Sequence, residues 1–140
     1  MYKTMKIVLA QQNYEIGNFP YNLSKISKAI SDARQMNADL IVFPEMSVCG
    51  AFPLGLLQNQ AFKRATQIAL DEIVAESYQI AVVIGCPIYS GNEIYNSAVV
   101  IENGSLVYRQ GKKSLSQLES QYFTSDSRKN VFDLKRKRIA

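Results

Sequence analysis

Apolar residues fall along this chain in two rhythms: short β-branched runs, and longer stretches where they return every three or four positions. The first run, Lys6-Ile7-Val8-Leu9-Ala10, gives way to polar Gln11-Gln12-Asn13 and reads as a strand. Ile16-Gly17-Asn18-Phe19-Pro20 reads as a turn. From Asn22, the predicted N-cap, Leu23, Ile26, Ala29, Ile30 and Ala33 recur at helical spacing to about Met36, with Lys25, Lys28 and Arg34 on the wet side.

The next run, Leu40-Ile41-Val42-Phe43, has no polar interruption, as expected of a strand buried on both faces. Residues 50–55 read as loop, and residues 56–78 as helix with a break near Gln60. A third buried strand is predicted over residues 80–85. Asn103-Gly104 then marks a hairpin between strands at 93–102 and 105–109. Residues 131–134 and 137–140 read as two further strand starts separated by Arg136. The order β-α-β-α-β-β-β, with more strand at the end, predicts an α/β fold with helices packed on a sheet.

Composition narrows the chemistry. Of 140 residues, 47% are hydrophobic and 20% charged, a globular profile long enough for a substantial core. No apolar run approaches the roughly 18 residues of a membrane span, and Lys6 breaks the only N-terminal candidate for a secretory segment. A cytoplasmic location is the expectation. The net charge of +4 is concentrated in Arg128-Lys129 and Lys135-Arg136-Lys137-Arg138. Phe132 is the one aromatic residue within that stretch and the pattern is strand-like, so a solvated edge strand is expected rather than a nucleic-acid surface. There is no His, and Cys49 and Cys86 match no zinc spacing, so no metal site is expected. Acid–base work must fall to carboxylates, Lys, Tyr or Cys.

Glu45 is the first candidate. It follows Pro44 at the end of the apolar run 40–43, where open α/β sheets hold their sites, and a carboxylate there is placed to act as a general base.

Several phrases around it, in order, resemble the nitrilase (carbon–nitrogen hydrolase) superfamily, and more closely the glutaminase domain of glutamine-dependent NAD+ synthetases. Ile7-Val8-Leu9-Ala10-Gln11 through Asn22-Leu23 is similar to that family's A-Q-x-N-x-x-V-G-D-F-x-x-N opening. Asp39-Leu40-Ile41-Val42-Phe43-Pro44-Glu45 resembles A-D-L-x-V-F-P-E. Gly50, Pro53, Leu56-Leu57 and Phe62 are similar to T-G-Y-P-P-E-D-L-L and its sequel, and Tyr95-Asn96-Ser97-Ala98 to Y-N-S-A. The resemblance implies the N-terminal half of a nitrilase-like α-β-β-α sandwich. It also implies a Glu-Lys-Cys mechanism: a thiolate attacks an amide, a glutamate moves the proton, and a lysine holds the oxyanion.

Carried over, Glu45 is the general base. The family's lysine stands after a Tyr-Arg strand end and before Leu-Pro. Lys112 keeps the spacing to Leu115, Lys113 is the alternative, and Ser116 replaces the Pro. Glu119, with Tyr122-Phe123, matches the end of a longer aromatic segment that helps hold glutamine in the family, and here that segment is shortened.

The family's nucleophilic Cys would follow the strand that residues 131–140 begin, and neither Cys49 nor Cys86 replaces it. Residues 1–140 are therefore expected to be a partial glutaminase domain, inactive alone, with glutamine as the parent's small-molecule substrate. No cofactor is expected in this chain. The parent's ATP and magnesium would belong to a synthetase domain whose S-G-G-x-D-S loop does not occur here. A homo-oligomer is expected, because a half sandwich leaves apolar faces open. The alternatives are a truncated stand-alone amidase or carbamoylase, and a non-enzymatic degenerate interaction module.

Overall fold

The computed structural model describes residues 4–128, 131–134 and 137–139. Strand β1 (Ile7–Leu9) lies parallel to β2 (Leu40–Val42), with Val8 opposite Ile41. Helix α1 (Phe19–Gln35) connects them and starts earlier than its apolar rhythm predicts. Its N-cap is Asn18, whose carboxamide oxygen accepts the Tyr21 N–H at 3.4 Å. Pro20 sits in the first turn, where its missing N–H would have had no helical partner. Asn22, the predicted cap, is instead fully buried: its Oδ1 accepts the Glu15 N–H at 2.8 Å, and its Nδ2 donates to the carbonyls of Glu15 and Val48.

The break expected near Gln60 is a helix cap. A 3-10 turn (Leu54–Gln58) ends at Asn59, whose side-chain oxygen accepts the N–H groups of Ala61 and Phe62 to open α2 (Gln60–Glu76). The third strand, β3 (Ala81–Ser90), does not stop at Gly85 but runs five residues farther and turns at Gly91-Asn92 into β4 (Glu93–Glu102). Pro87 lies inside it, opposite Asn96. There β3 has outrun β2, so among the described residues no strand pairs its outer edge and a missing N–H is tolerated. β5 (Ser105–Gly111) follows the Asn103-Gly104 turn as predicted, two residues longer than its pattern.

These strands form one sheet in the order β1-β2-β3-β4-β5, the first three parallel and the rest antiparallel. One face carries Ile41, Val82, Ile84, Val99 and Ile101 against Ile26 and Ile30 of α1 and Leu70 and Ile73 of α2. The opposite face carries Leu40, Ala81 and Val100 against Leu134. Leu134 belongs to an antiparallel ribbon of β6 (Phe132–Leu134) and β7 (Lys137–Ile139), in which Phe132 stacks on Tyr108 of β5 at 4.9 Å between centroids. The molecule is thus α/β, with both helices on one side and a small ribbon on the other. Of the predicted basic cluster, Lys129, Lys135 and Arg136 lie outside the described residues, as does Ala140. No helix among the described residues is long and apolar enough to cross a membrane.

Candidate active site

Where β2 stops, the chain crosses the flank of β3. The Phe43 N–H still bonds the Val83 carbonyl at 2.8 Å; Pro44 then ends the ladder, and Pro44-Glu45-Met46 passes directly over Gly85. A Cβ on Gly85 would lie 2.4 Å from the Met46 nitrogen and 2.6 Å from the Glu45 Cα, so only glycine admits this crossing. Met46 itself takes the left-handed region at φ 57°, and the Ser47 hydroxyl donates to the Pro44 carbonyl. This fixed turn holds Glu45 at the surface, with its side chain 54% exposed.

Lys112 arrives from the other side. It directly follows β5, and its N–H donates to the Asn96 carbonyl at 2.7 Å, continuing the β4–β5 ladder by one bond. Its ammonium stands 3.2 Å from Glu45 Oε1 and 2.7 Å from Glu119 Oε1. Lys113, the alternative, is exposed and is not part of this contact. The structure therefore brings Glu45, Lys112 and Glu119 into one cluster.

Glu119 opens a short 3-10 turn (Glu119–Gln121). Its Oε2 accepts the Ser116 N–H at 2.8 Å, while its own N–H donates to Ser116 Oγ at 3.2 Å. Ser116 and Glu119 bond each other reciprocally, in the S-x-x-E pattern of a capping box, just ahead of the turn. The departure from Leu-Pro at Ser116 thus has a structural use, since a proline there could not donate to Glu119.

Electrostatics separate the two carboxylates. The Lys112 ammonium, helped by the Ser116 N–H, pushes the Glu119 carboxyl down to about 2. Both Glu119 oxygens are engaged, and its side chain is 14% exposed. Glu119 first, and then Glu45, raise Lys112 above the ordinary lysine value, so it stays an ammonium at neutral pH. Lys112 is thereby a fixed positive charge and Glu119 a fixed anchor. Glu45 alone keeps an oxygen, Oε2, with no hydrogen-bond partner among the described residues.

Two residues that the sequence left unassigned complete the support. Asn96, 5% exposed on β4, donates from Nδ2 to Glu45 Oε1. Asp126, 4% exposed, accepts the Gly111 N–H at 3.1 Å, and its own N–H bonds the Lys112 carbonyl at 3.1 Å. Arg128 grips the same carboxylate with two side-chain bonds at 2.9 and 2.7 Å and, as the main cause, holds it well below the usual range. Gly111 lies so close that a Cβ there would meet the Asp126 Cβ at 2.6 Å.

The cluster forms the polar end of a cavity of about 130 Å³ whose walls include Met46, Phe52, Leu54, Leu118 and Phe123. Phe52 and Leu54 also hold positive φ, so one wall is built from a strained loop. An open groove on the sheet, lined by Val83, Gly85, Ala98 and Gln110, shares Glu45, Asn96 and Lys112 with the cavity. Neither cysteine lines either space. Cys49 and Cys86 are buried, and burial pushes the Cys49 thiol up to about 12 and Cys86 well above its ordinary value. Among the described residues no three His, Cys, Asp or Glu side chains converge as metal ligands would.

Comparison with known proteins places this geometry in context. The carbon–nitrogen hydrolase family matches residues 6–140. A glutamine-dependent NAD(+) synthetase of Acinetobacter baylyi is 32% identical over 137 residues, covering 94% of this chain and 25% of that protein. One from Xylella fastidiosa strain Temecula1 is 30% identical over 131 residues, 90% of this chain and 24% of that one. The chain thus spans about a quarter of the length of the curated relatives it matches. The solved structure of the Acinetobacter baumannii glutamine-dependent NAD+ synthetase superposes with a TM-score of 0.89 at 30% identity, over 97% of this chain and 27% of that one. A Nesterenkonia amidase shares the fold with a TM-score of 0.84 at 20% identity, over 96% of this chain and 53% of that one.

Proposed function

We propose, for a chain that belongs to the carbon–nitrogen hydrolase family, that Glu45, Lys112 and Glu119 are the base, oxyanion and anchoring groups of an amide-hydrolysing site. The observation that carries this is one ammonium held between two carboxylates at the polar end of an apolar cavity. The amide is glutamine, and the chain is part of the glutaminase domain of an NAD+ synthetase, a reading supported by relatives of that name covering most of these residues.

In that chemistry a thiol enters beside Glu45. Its proton passes to Glu45 as its sulfur attacks the amide carbon, and the Lys112 ammonium stabilises the resulting oxyanion. Glu45 returns the proton to the departing nitrogen, ammonia leaves, and an acyl-thioester remains. Water, deprotonated by Glu45, then releases the acid and the thiol is reprotonated. Glu119 neither gives nor takes a proton, because Lys112 keeps it ionised. The thiol is neither Cys49 nor Cys86, which lie outside the cavity, and the open groove beside Glu45 leaves room for one to approach. These 140 residues alone are therefore inactive.

Millimolar glutamine added to the isotope-labelled chain is expected to shift the NMR signals of Asn96, Lys112 and Tyr122, and less so in Lys112→Ala. An unchanged spectrum would count against the glutamine site. Glutamate release above buffer that is abolished by Glu45→Gln would overturn the claim of inactivity.

A second reading keeps the chemistry and changes the amide. Among the described residues, the cavity wall offers no arginine and no cation besides Lys112 for an amino acid's carboxylate. An aliphatic amide giving larger shifts than glutamine at equal concentration would favour it.

A further inference from the structure

We propose that Asn96 is a positioning residue that ties down one oxygen of Glu45 and so leaves Oε2 as the only oxygen free to carry a proton. The proposal rests on the reading of Glu45 as the base and adds a residue to it. Asn96 is almost completely buried, and both ends of its contacts lie in the site. Its Nδ2 donates to Glu45 Oε1, and its backbone carbonyl accepts the Lys112 N–H at 2.7 Å. One strand residue therefore sets the position of the base through its side chain and of the cation through its backbone.

The choice of oxygen follows. Oε1 receives two donors, the Asn96 amide and the Lys112 ammonium at 3.2 Å, whereas Oε2 receives none among the described residues. A carboxylate oxygen with two donors has fewer lone pairs to offer a thiol proton. The lysine alone would not fix this orientation, because its shorter contact is to Glu119 at 2.7 Å. The amide identity matters too: aspartate has nearly the same shape but presents an acceptor to an acceptor.

That difference supplies the test. Near neutral pH the labelled chain should show a scalar coupling through the hydrogen bond from Asn96 Nδ2 to the Glu45 carboxyl carbon, and three-bond couplings placing Glu45 in one rotamer. In Asn96→Asp both should be lost, Glu45 giving rotamer-averaged couplings, while the Lys112 amide proton keeps its slow exchange. Absence of the coupling in the wild type, or a single Glu45 rotamer in Asn96→Asp, would overturn the proposal. Should Asn96→Asp not fold, as judged by circular dichroism, Asn96→Ala is read in the same way. If neither folds, the wild-type coupling decides alone. None of these readouts needs glutamine, so a silent glutamine titration would sink the substrate reading and leave this one standing.

Discussion

Lys112 balances one positive charge against two carboxylates, and its unequal sharing assigns their roles. Glu119 takes the shorter contact and its carboxyl is pushed down to about 2, so its linkage to stability can be signed. A carboxyl depressed on folding stabilises the native state in full above its ordinary value, and that contribution is lost as pH falls through the folded one. For Glu119 the window runs from about 4.5 down to about 2. Unfolding free energy measured by urea titration should fall across that window in the wild type and less steeply in Glu119→Gln. Equal slopes would mean that the Lys112–Glu119 pair does not hold in solution. Part of the slope should survive in the variant, since Arg128 holds Asp126 lower still. Added salt should weaken the Glu119 part, because Lys112 is 37% exposed. The sequence made these residues unequally legible. Glu45 is marked by the apolar run that stops at Pro44, and Lys112 by its spacing to Leu115. Asn96 sits in the Tyr-Asn-Ser-Ala phrase that resembles the family's, but nothing local gives it a role until the β3–β4–β5 register turns it toward Glu45. Asp126, in a polar Thr-Ser-Asp-Ser-Arg stretch, carries no local signal beyond Arg128 two residues on, because its task is to receive the end of β5, 15 residues away.

Among the elements, tertiary contacts carry some past the limits that their local pattern suggests. β3 reads as ending at Gly85, since Gly and Pro87 usually punctuate strands, yet β4 supplies an antiparallel partner as far as Ser90. Asn22 looks like a cap, so the local pattern starts α1 there, whereas it serves as a buried bracket between two loops. Gly85, which punctuates the strand pattern, also permits the site. Gly85→Ala would place its methyl against backbone, which cannot yield as a side chain does. It should cost about 2 kcal/mol or more in urea unfolding and displace Glu45, seen as loss of its contact with Lys112. A cost near zero would mean that the 44–46 crossing leaves room for a side chain over position 85. Ser116→Pro restores the family's residue yet removes the N–H that Glu119 accepts. It should destabilise by about 1 kcal/mol, whereas a gain in stability would show that the capping box contributes nothing.

For the molecule as a whole, the two faces of the sheet are unequally covered. Paired strand residues share a face, so Ile7 and Leu9 lie on the same side as Leu40 and Val42. The β6–β7 ribbon packs over Leu40, but Ile7 and Leu9 remain 50% and 68% exposed. Among the described residues β1 pairs only with β2, and no strand covers its outer edge. A second copy meeting this edge would bury four such side chains, worth on the order of 4–8 kcal/mol. Association costs roughly 4–15 kcal/mol, so the apolar edge supports at most a weak, reversible dimer unless the open groove beside Val83 and Ala98 adds to the contact. The expected result is a concentration-dependent mass in light scattering, rising through the micromolar range, with Leu9→Lys shifting the sample to monomer while circular dichroism is unchanged. Wild-type chain that stays monomeric throughout that range would end the proposal of self-association. A dimer unaffected by Leu9→Lys would move the interface away from β1, leaving the groove next to Glu45 as the face to test.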